Sequence, residues 1–394
     1  MKKRQLRITA FLVLICMVLI TVSPVYAETE RTPLEISAAS GLLMEVETGT
    51  ILYEKDSNTR RSPASVTKVM TLLLIFEQLD AGNLKLDDTV TTSAHAKSMG
   101  GSQVFLEEGE QQSVETMIKC IVIASGNDAS VAMAEHIAGS EQSFVEQMNR
   151  RASELGMKNT HFVDCCGLTD SDDHYTTAYD IALMSRELIK NHPQIFQYSS
   201  IWMENITHVT RQGTKEFGLT NTNRLIRTYP GCKGLKTGST SKAKFCLSAV
   251  AERGGLSLLS VVMAAPDYKA RLKDCASLLD YGFARCSIYI DEQPSPLPEI
   301  PVRKGTSAVV PLQYEGTFKY VSTDGNKLDS PQKKLNLPEE IQAPVSAGEQ
   351  AGELVYLHPE SGQELGSIPV LYAESVECLN FSDCLLQTFH AFCL

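Results

Sequence analysis

Ser62-Pro63-Ala64-Ser65-Val66-Thr67-Lys68-Val69-Met70-Thr71-Leu72-Leu73-Leu74-Ile75-Phe76 is the stretch on which the reading of this chain turns. Ser62 as N-cap and Pro63 at the first helical position predict a helix from about Pro63 to Asp80, stopped by Gly82. It is apolar nearly all round, so it is expected to be buried rather than to lie on a surface. The spacing of three puts the Ser65 hydroxyl and the Lys68 amine on one helical face. A lysine at the head of a buried helix is partly desolvated, which favours its neutral amine and makes it a base for the serine. Ser-x-x-Lys alone occurs by chance in many helices, so the pair needs support from elsewhere in the chain.

Upstream, Gly41 to Val46 and Ile51 to Tyr53 flank Glu47-Thr48-Gly49-Thr50, two strands joined by a tight turn. Downstream, helical patterns run near residues 113–124, 128–138, 140–155 and 177–190. Apolar runs then return at Gly231 to Lys236, Lys244 to Ala251 and Leu256 to Ala264, followed by an amphipathic helix from Asp267 to Phe283. This order predicts an α/β domain: an antiparallel sheet covered by helices, with a helical subdomain inserted in mid-chain. Residues 291–301 are a proline-rich linker, and the short apolar runs beyond it, broken by Asp324-Gly325 and Ser361-Gly362, predict a small all-β domain.

Two further motifs fit the first. Ser125-Gly126-Asn127 lies between two apolar helices, at a loop tip from which side chains reach a cleft, although these residues also form plain turns. Lys236-Thr237-Gly238 closes a strand and is followed by Ser239. The lysine and threonine offer a cation and a hydroxyl to a carboxylate, and the glycine lets substrate backbone lie close to the strand edge.

The set Ser-x-x-Lys, Ser-x-Asn and Lys-Thr-Gly, in that order, resembles that of the penicillin-recognising serine enzymes. The closer likeness is to the low-molecular-weight D-alanyl-D-alanine carboxypeptidases. It is carried by Ala124-Ser125-Gly126-Asn127-Asp128-Ala129, by Gly167-Leu168-Thr169 with His174-Tyr175-Thr176-Thr177-Ala178-Tyr179-Asp180, and by Gly234-Leu235-Lys236-Thr237-Gly238. The resemblance implies a β-lactamase/DD-peptidase-like fold and a cleft in which Ser65 is the nucleophile and Lys68 its base. It also implies that Ser125 relays a proton to the departing D-alanine, that Asn127 holds Lys68 and the substrate amide, and that Lys236 and Thr237 bind the terminal carboxylate. Gly238 would give room along the strand, and the N–H groups of Ser65 and Ser239 would form the oxyanion hole. The implied partners are a peptidoglycan stem peptide ending in D-Ala-D-Ala and, as inhibitors, β-lactams; no cofactor is needed. His174 and Asp180 read as loop and helix-cap residues.

Two rivals share the chemistry. A D,D-endopeptidase cutting cross-links uses the same residues. A class A β-lactamase needs a glutamate after the Ser-x-Asn loop for fast deacylation, and none occurs between Glu154 and Glu187. An inactive wall-binding protein is disfavoured, since every nominal catalytic side chain is present.

The whole chain has 394 residues, 43% hydrophobic and 21% charged, enough for a large domain and a smaller one. Lys2, Lys3, Arg4 and Arg7 precede the apolar run Ile8 to Val22, and Val25-Tyr26-Ala27 supplies a cleavage site, so residues 1–27 are expected to be a signal peptide; the run is short for an uncleaved spanning anchor. Losing those four positive charges takes the net charge from −11 to −15, which argues against nucleic acid as a partner. The expected organisation is a signal peptide at 1–27, a catalytic domain at 34–288, a β-sheet domain at 289–372 and an amphipathic segment at 373–394. In that last segment Leu379, Leu385, Leu386, Phe389 and Phe392 offer an apolar helical face for peripheral membrane contact on the outer side of the cytoplasmic membrane. No Lys or Arg follows Lys334, so attachment would rest on apolar burial alone; the alternative is a short helix packed on the β domain. The 11 cysteines show no metal-binding spacing, their disulfide state stays open, and Cys165-Cys166 reads as buried or idle thiols.

Overall fold

The computed structural model describes residues 34–381, apart from positions 212, 293, 324, 326, 327 and 329. The expected signal peptide lies outside the described residues, as do residues 382–394. The first two strands are β1 (Ser40–Glu45) and β2 (Ile51–Lys55). A 3-10 turn at Ala64–Thr67 leads into α1 (Lys68–Asp80), and α2 (Val114–Val122), α3 (Asn127–Ala138), α4 (Glu141–Glu154) and α5 (Ala178–Asn191) build the helical layer. A hairpin of β3 (Met203–Thr210) and β4 (Gly213–Thr220) follows, one that the apolar patterning does not flag because most of its side chains are exposed. Then come β5 (Cys232–Thr240), β6 (Lys244–Arg253), β7 (Leu256–Ala265) and α6 (Tyr268–Arg285).

The five long strands form one antiparallel sheet in the order β2-β1-β7-β6-β5. Strand alternation sends Leu42, Met44, Leu259, Val261 and Met263 into the core shared with α1 and the helical layer. Leu43 and Leu258 point the other way, against Gly282 of α6, where an added Cβ would come within 2.9 and 2.6 Å of them. Both faces are therefore covered, as the sequence order predicts. β5 is left at the edge, with one side free of strand partners.

Helix α1 departs from expectation at its start. Ser62 does not cap it; the first turn is 3-10 with Pro63 at its head, and Ala64, the residue after Pro63, has φ +47. A residue in that left-handed region breaks the helical path, so α proper begins only at Lys68.

The β region is a set of small sheets, the largest pairing Gln332–Asn336, Gln350–Leu357, Glu364–Tyr372 and Leu312–Tyr314. Phe318 stacks on Tyr356 with ring centroids 3.6 Å apart, and the Tyr356 hydroxyl donates to Asp291 at 2.7 Å. Pairing crosses the boundary expected at 289: strand Ser287–Ile290 pairs with Lys319–Ser322. At the other end, Val376 bridges Val345 and is buried, Cys378 bridges Gly305, and Leu379 donates its N–H to the Lys304 carbonyl. The start of the 373–394 segment is thus extended chain tied to the β unit, because its backbone groups find partners there. Leu385, Leu386, Phe389 and Phe392 lie outside the described residues.

Candidate active site

The three motifs meet where the 3-10 turn, the α2–α3 loop and the free edge of β5 converge. Lys68 is fully buried, and its Nζ lies 3.1 Å from Ser65 Oγ, 2.6 Å from Asn127 Oδ1 and 2.8 Å from the Cys166 carbonyl. Lys236, also buried, donates to Ser125 Oγ at 2.8 Å and to the Thr237 carbonyl at 3.0 Å. Gly238 closes the third side, since a Cβ there would stand 3.0 Å from Ser65 N and 2.5 Å from the Pro63 carbonyl. Only a residue without a side chain lets the strand lie this close to the turn. Thr237 Oγ1 donates to Thr222 Oγ1 at 2.7 Å, while Ser65 is half-buried and Ser239, at the end of the edge strand, is exposed.

Both lysines have lowered pKa values. For Lys68 burial outweighs the opposing pull of its neighbours, including Asp164 and Asp128. For Lys236 burial acts first, and the like charges of Lys68 and Arg271 push further in the same direction, holding it well below 10.5. The partners of Lys68 fix its proton arrangement. Asn127 Oδ1 and the Cys166 carbonyl only accept, so a neutral amine gives them its two N–H groups. Its lone pair is left for the single partner that can donate, the Ser65 hydroxyl.

The supporting structure is local and specific. Ser125 has φ +64, a strained conformation for a residue with a side chain, and is held in it by the turn into α3. Asn127 Nδ2 donates to the Gly100 carbonyl at 2.7 Å, which fixes the direction of the amide. Asp128 accepts from the N–H groups of Val104 and Leu106 at 3.1 Å each, tying the loop above the cleft to the same helix. Below Ser65, Thr67 Oγ1 donates to the Ala64 carbonyl at 2.8 Å and accepts from His174 Nε2 at 2.8 Å. His174 Nδ1 accepts from Val163 N–H, which assigns the ring proton to Nε2, and burial lowers its pKa, so this neutral ring holds the Ser65 turn from behind. Asp180 accepts from Asn159 N–H and the Thr160 hydroxyl in the first turn of α5, but the helix is capped by Thr177, which accepts from the Asp180 N–H, so Asp180 is not the cap expected of it.

Cys165 and Cys166 are buried, and desolvation puts the Cys165 thiol well above its usual pKa. The cysteines among the described residues are all free thiols, and burial raises Cys246 to about 11 and Cys275 to about 12. Asp164, the acid beside them, is opposed by burial, yet the His174 interaction and the N–H groups of Thr169, Cys166 and Gly167 hold its pKa low. It is committed to shaping the loop. Among the described residues no group of three or more His, Cys, Asp or Glu is arranged to hold a metal ion.

Three contributors escape sequence reasoning, the Cys166 carbonyl, Thr222 and Arg271, while Gly167 enters it only through the resemblance and with no role attached. Arg271 of α6 is buried behind β5, donates to the carbonyls of Gly238 and Cys246 at 3.3 Å, and leaves its Nε without a partner. The one available signal was its place in the first turns of an amphipathic helix otherwise anchored by apolar residues.

A serine on a strained turn, a buried lysine against its hydroxyl, a second serine–lysine pair and an open strand edge define a penicillin-recognising serine enzyme. Comparison with known proteins agrees. The D-alanyl-D-alanine carboxypeptidase family matches residues 27–267, and the C-terminal domain of penicillin-binding protein 5 matches residues 292–378. The chain is 41% identical over 352 residues to the D-alanyl-D-alanine carboxypeptidase DacF of Bacillus subtilis, covering 89% of each chain. Penicillin-binding protein 5 of Haemophilus influenzae superposes with a TM-score of 0.66 at 30% identity, over 88% of this chain and 99% of that one. A peptidoglycan synthesis regulatory factor of Streptococcus pneumoniae gives 0.69 at 26% identity, over 87% and 100%. This chain belongs to the D-alanyl-D-alanine carboxypeptidase family.

Proposed function

We propose that the chain removes the terminal D-alanine from peptidoglycan stem peptides through an ester on Ser65, and that β-lactams acylate the same hydroxyl. The observation that carries this reading is the partner set of Lys68, which leaves a neutral amine one direction for its lone pair, toward Ser65 Oγ. Lys68 takes the Ser65 proton as Oγ attacks the carbonyl carbon of the penultimate D-alanine. Charge gathers on the carbonyl oxygen, which the N–H groups of Ser65 and Ser239 are placed to receive in this reading, a kind of stabilisation commonly worth about 3 kcal/mol per donor. The carbon–nitrogen bond then breaks, and the proton reaches the departing amine through the Ser125 hydroxyl, itself held by Lys236. Water, giving its proton to Lys68, splits the ester and restores Ser65. Asn127 orients Lys68 and offers its remaining N–H to the substrate backbone, while Thr237, Lys236 and the buried Arg271 meet the free carboxylate.

The same reading places the enzyme outside the cytoplasm, with residues 1–27 as its export signal. N-terminal sequencing of protein recovered outside the cytoplasm should begin at Glu28, and an intact Met1 would refute cleavage. Among the described residues no helix is long and apolar enough to cross a membrane. The C-terminal segment 373–394 is proposed as a peripheral membrane contact, made by the apolar residues that follow Phe381. Truncation after Phe381 should release the protein from membrane fractions, and unchanged partition would refute the contact. For the catalytic reading, the parent should take up fluorescent penicillin and release D-alanine from diacetyl-Lys-D-Ala-D-Ala, and Ser65→Ala should do neither. A folded Ser65→Ala variant that still labels or still releases D-alanine would overturn the assignment.

A further inference from the structure

The chain leaves β4 through Asn221-Thr222-Asn223 and passes beside β5. Two buried amides hold this passage. Asn221 Nδ2 donates to the carbonyls of Ser199 and Ile201 at 3.1 and 2.8 Å, and its Oδ1 accepts from Asn223 N–H at 2.9 Å. Asn223 Nδ2 donates to the Gly234 carbonyl of β5 at 2.9 Å, and its Oδ1 accepts from Leu225 N–H at 3.1 Å. The Thr222 N–H donates to the Ile123 carbonyl at 3.2 Å, just past the end of α2. The backbone at Thr222 is therefore fixed without help from its own side chain. That side chain, half-buried, accepts from the Thr237 hydroxyl at 2.7 Å. Thr237 is itself buried, so a rotamer that lost this partner would leave its hydroxyl desolvated and unpaired.

A hydroxyl has a single proton to donate but can accept at the same time. Thr237 spends its proton on Thr222, so donating it to a carboxylate requires the pair to reverse: Thr222 then donates to Thr237 Oγ1 while Thr237 donates outward. Only a hydroxyl at position 222 serves as acceptor before the reversal and donor after it. A hydroxyl that is accepting a hydrogen bond is also the stronger donor. We propose that Thr222 is a positioning residue for the free carboxylate of the substrate: it holds the Thr237 hydroxyl at the edge of β5 and, by reversing their hydrogen bond, turns that hydroxyl toward the carboxylate. The inference rests on the proposed cleavage at Ser65 and deepens it. No covalent bond is made or broken at Thr222; its hydroxyl sets how well a chain end is told from a substrate with the same acyl group and no carboxylate.

The test uses two thioesters of diacetyl-Lys-D-Ala, one releasing thioglycolate, which bears a carboxylate, and one releasing ethanethiol, which does not. Both leave the same ester on Ser65. The kcat/KM for each, divided by its rate of alkaline hydrolysis, is compared for the parent, Thr222→Val and Thr222→Ser, with diacetyl-Lys-D-Ala-D-Ala run alongside. The parent should favour the thioglycolate ester. Thr222→Val, which keeps the shape and removes the hydroxyl, should lower kcat/KM for that ester and for the peptide by roughly three- to tenfold, the range of one net hydrogen bond, and leave the ethyl ester within about twofold. Thr222→Ser should restore most of the loss. Because Thr222 acts through Thr237, Thr222→Val should cost nothing further in a Thr237→Val background. An unchanged or raised thioglycolate-to-ethyl ratio in Thr222→Val, an equal loss on both thioesters, or a further loss on top of Thr237→Val overturns the inference. If Thr222→Val does not fold, Thr222→Ala is read on the same ratio. A parent that favours neither thioester overturns carboxylate binding at Thr237 and this inference with it. A parent that hydrolyses neither thioester and takes up no fluorescent penicillin overturns the reading of Ser65, on which the inference rests.

Discussion

Gly167 offers the sharpest test of how the Ser65 turn is held. It has φ +74, and a Cβ built on it would lie 1.9 Å from the Ala64 carbonyl oxygen, 2.3 Å from its carbon and 2.7 Å from Thr67 Oγ1. All three belong to the turn that presents Ser65. Bringing the first contact back to an allowed distance of about 3 Å requires a displacement of at least about 1 Å, and misplacement on that scale costs on the order of 100-fold in rate. Gly167→Ala should therefore lower the second-order rate of penicillin acylation by about two orders of magnitude. It should also destabilise the fold by about 2–4 kcal/mol, from overpacking together with the left-handed backbone. Gly139→Ala is the control, because Gly139 has nearly the same φ, +77, and nothing within 4 Å of an added Cβ. It should lose about 1 kcal/mol in urea unfolding and acylate at the parental rate. If Gly167→Ala, folded by circular dichroism, acylates within threefold of the parent, the turn is not held by this contact and the reasoning fails.

Burial favours the neutral form of Lys68, so the fraction of enzyme with a competent base should grow as pH rises. The acylation rate should climb along a limb centred below 10.5, and a limb at or above that value would contradict the burial argument. The same shift makes the unfolded chain bind more protons than the native one between the native pKa and 10.5. Through that window Lys68 and Lys236 should make stability rise with pH, and Lys236→Met should flatten the slope seen in urea titrations. His174→Ala strips partners from Thr67 and from the Val163 N–H; a loss of about 1–3 kcal/mol is expected, with slower acylation that His174→Gln partly restores. Parental acylation in His174→Ala would show that the ring does not position the turn.

The sequence carried the fold class, and its three motifs singled out eight candidate site residues, because the motifs are local; the roles of those residues came from the family resemblance. Three-residue spacing on a helix, a polar triplet between apolar helices and a glycine closing a strand are all legible without long-range knowledge, and apolar periodicity marks the helices and core strands. The β3–β4 hairpin was not legible, since its strands are mostly exposed and carry no apolar period. Nor was the 3-10 start of α1, where Ala64 takes a conformation that its side chain does not advertise.

Tertiary structure alone decided what surrounds those residues. The Cys166 carbonyl that fixes the proton arrangement of Lys68 is a backbone group, and every residue type has one. Gly167 matters only because folding brings the Ala64 carbonyl against it, and Thr222 reaches Thr237 only when the chain after β4 packs against β5. A chain shows which groups it owns and how neighbours are spaced. Which distant groups share a desolvated pocket, and so which way a buried proton points, is set by packing.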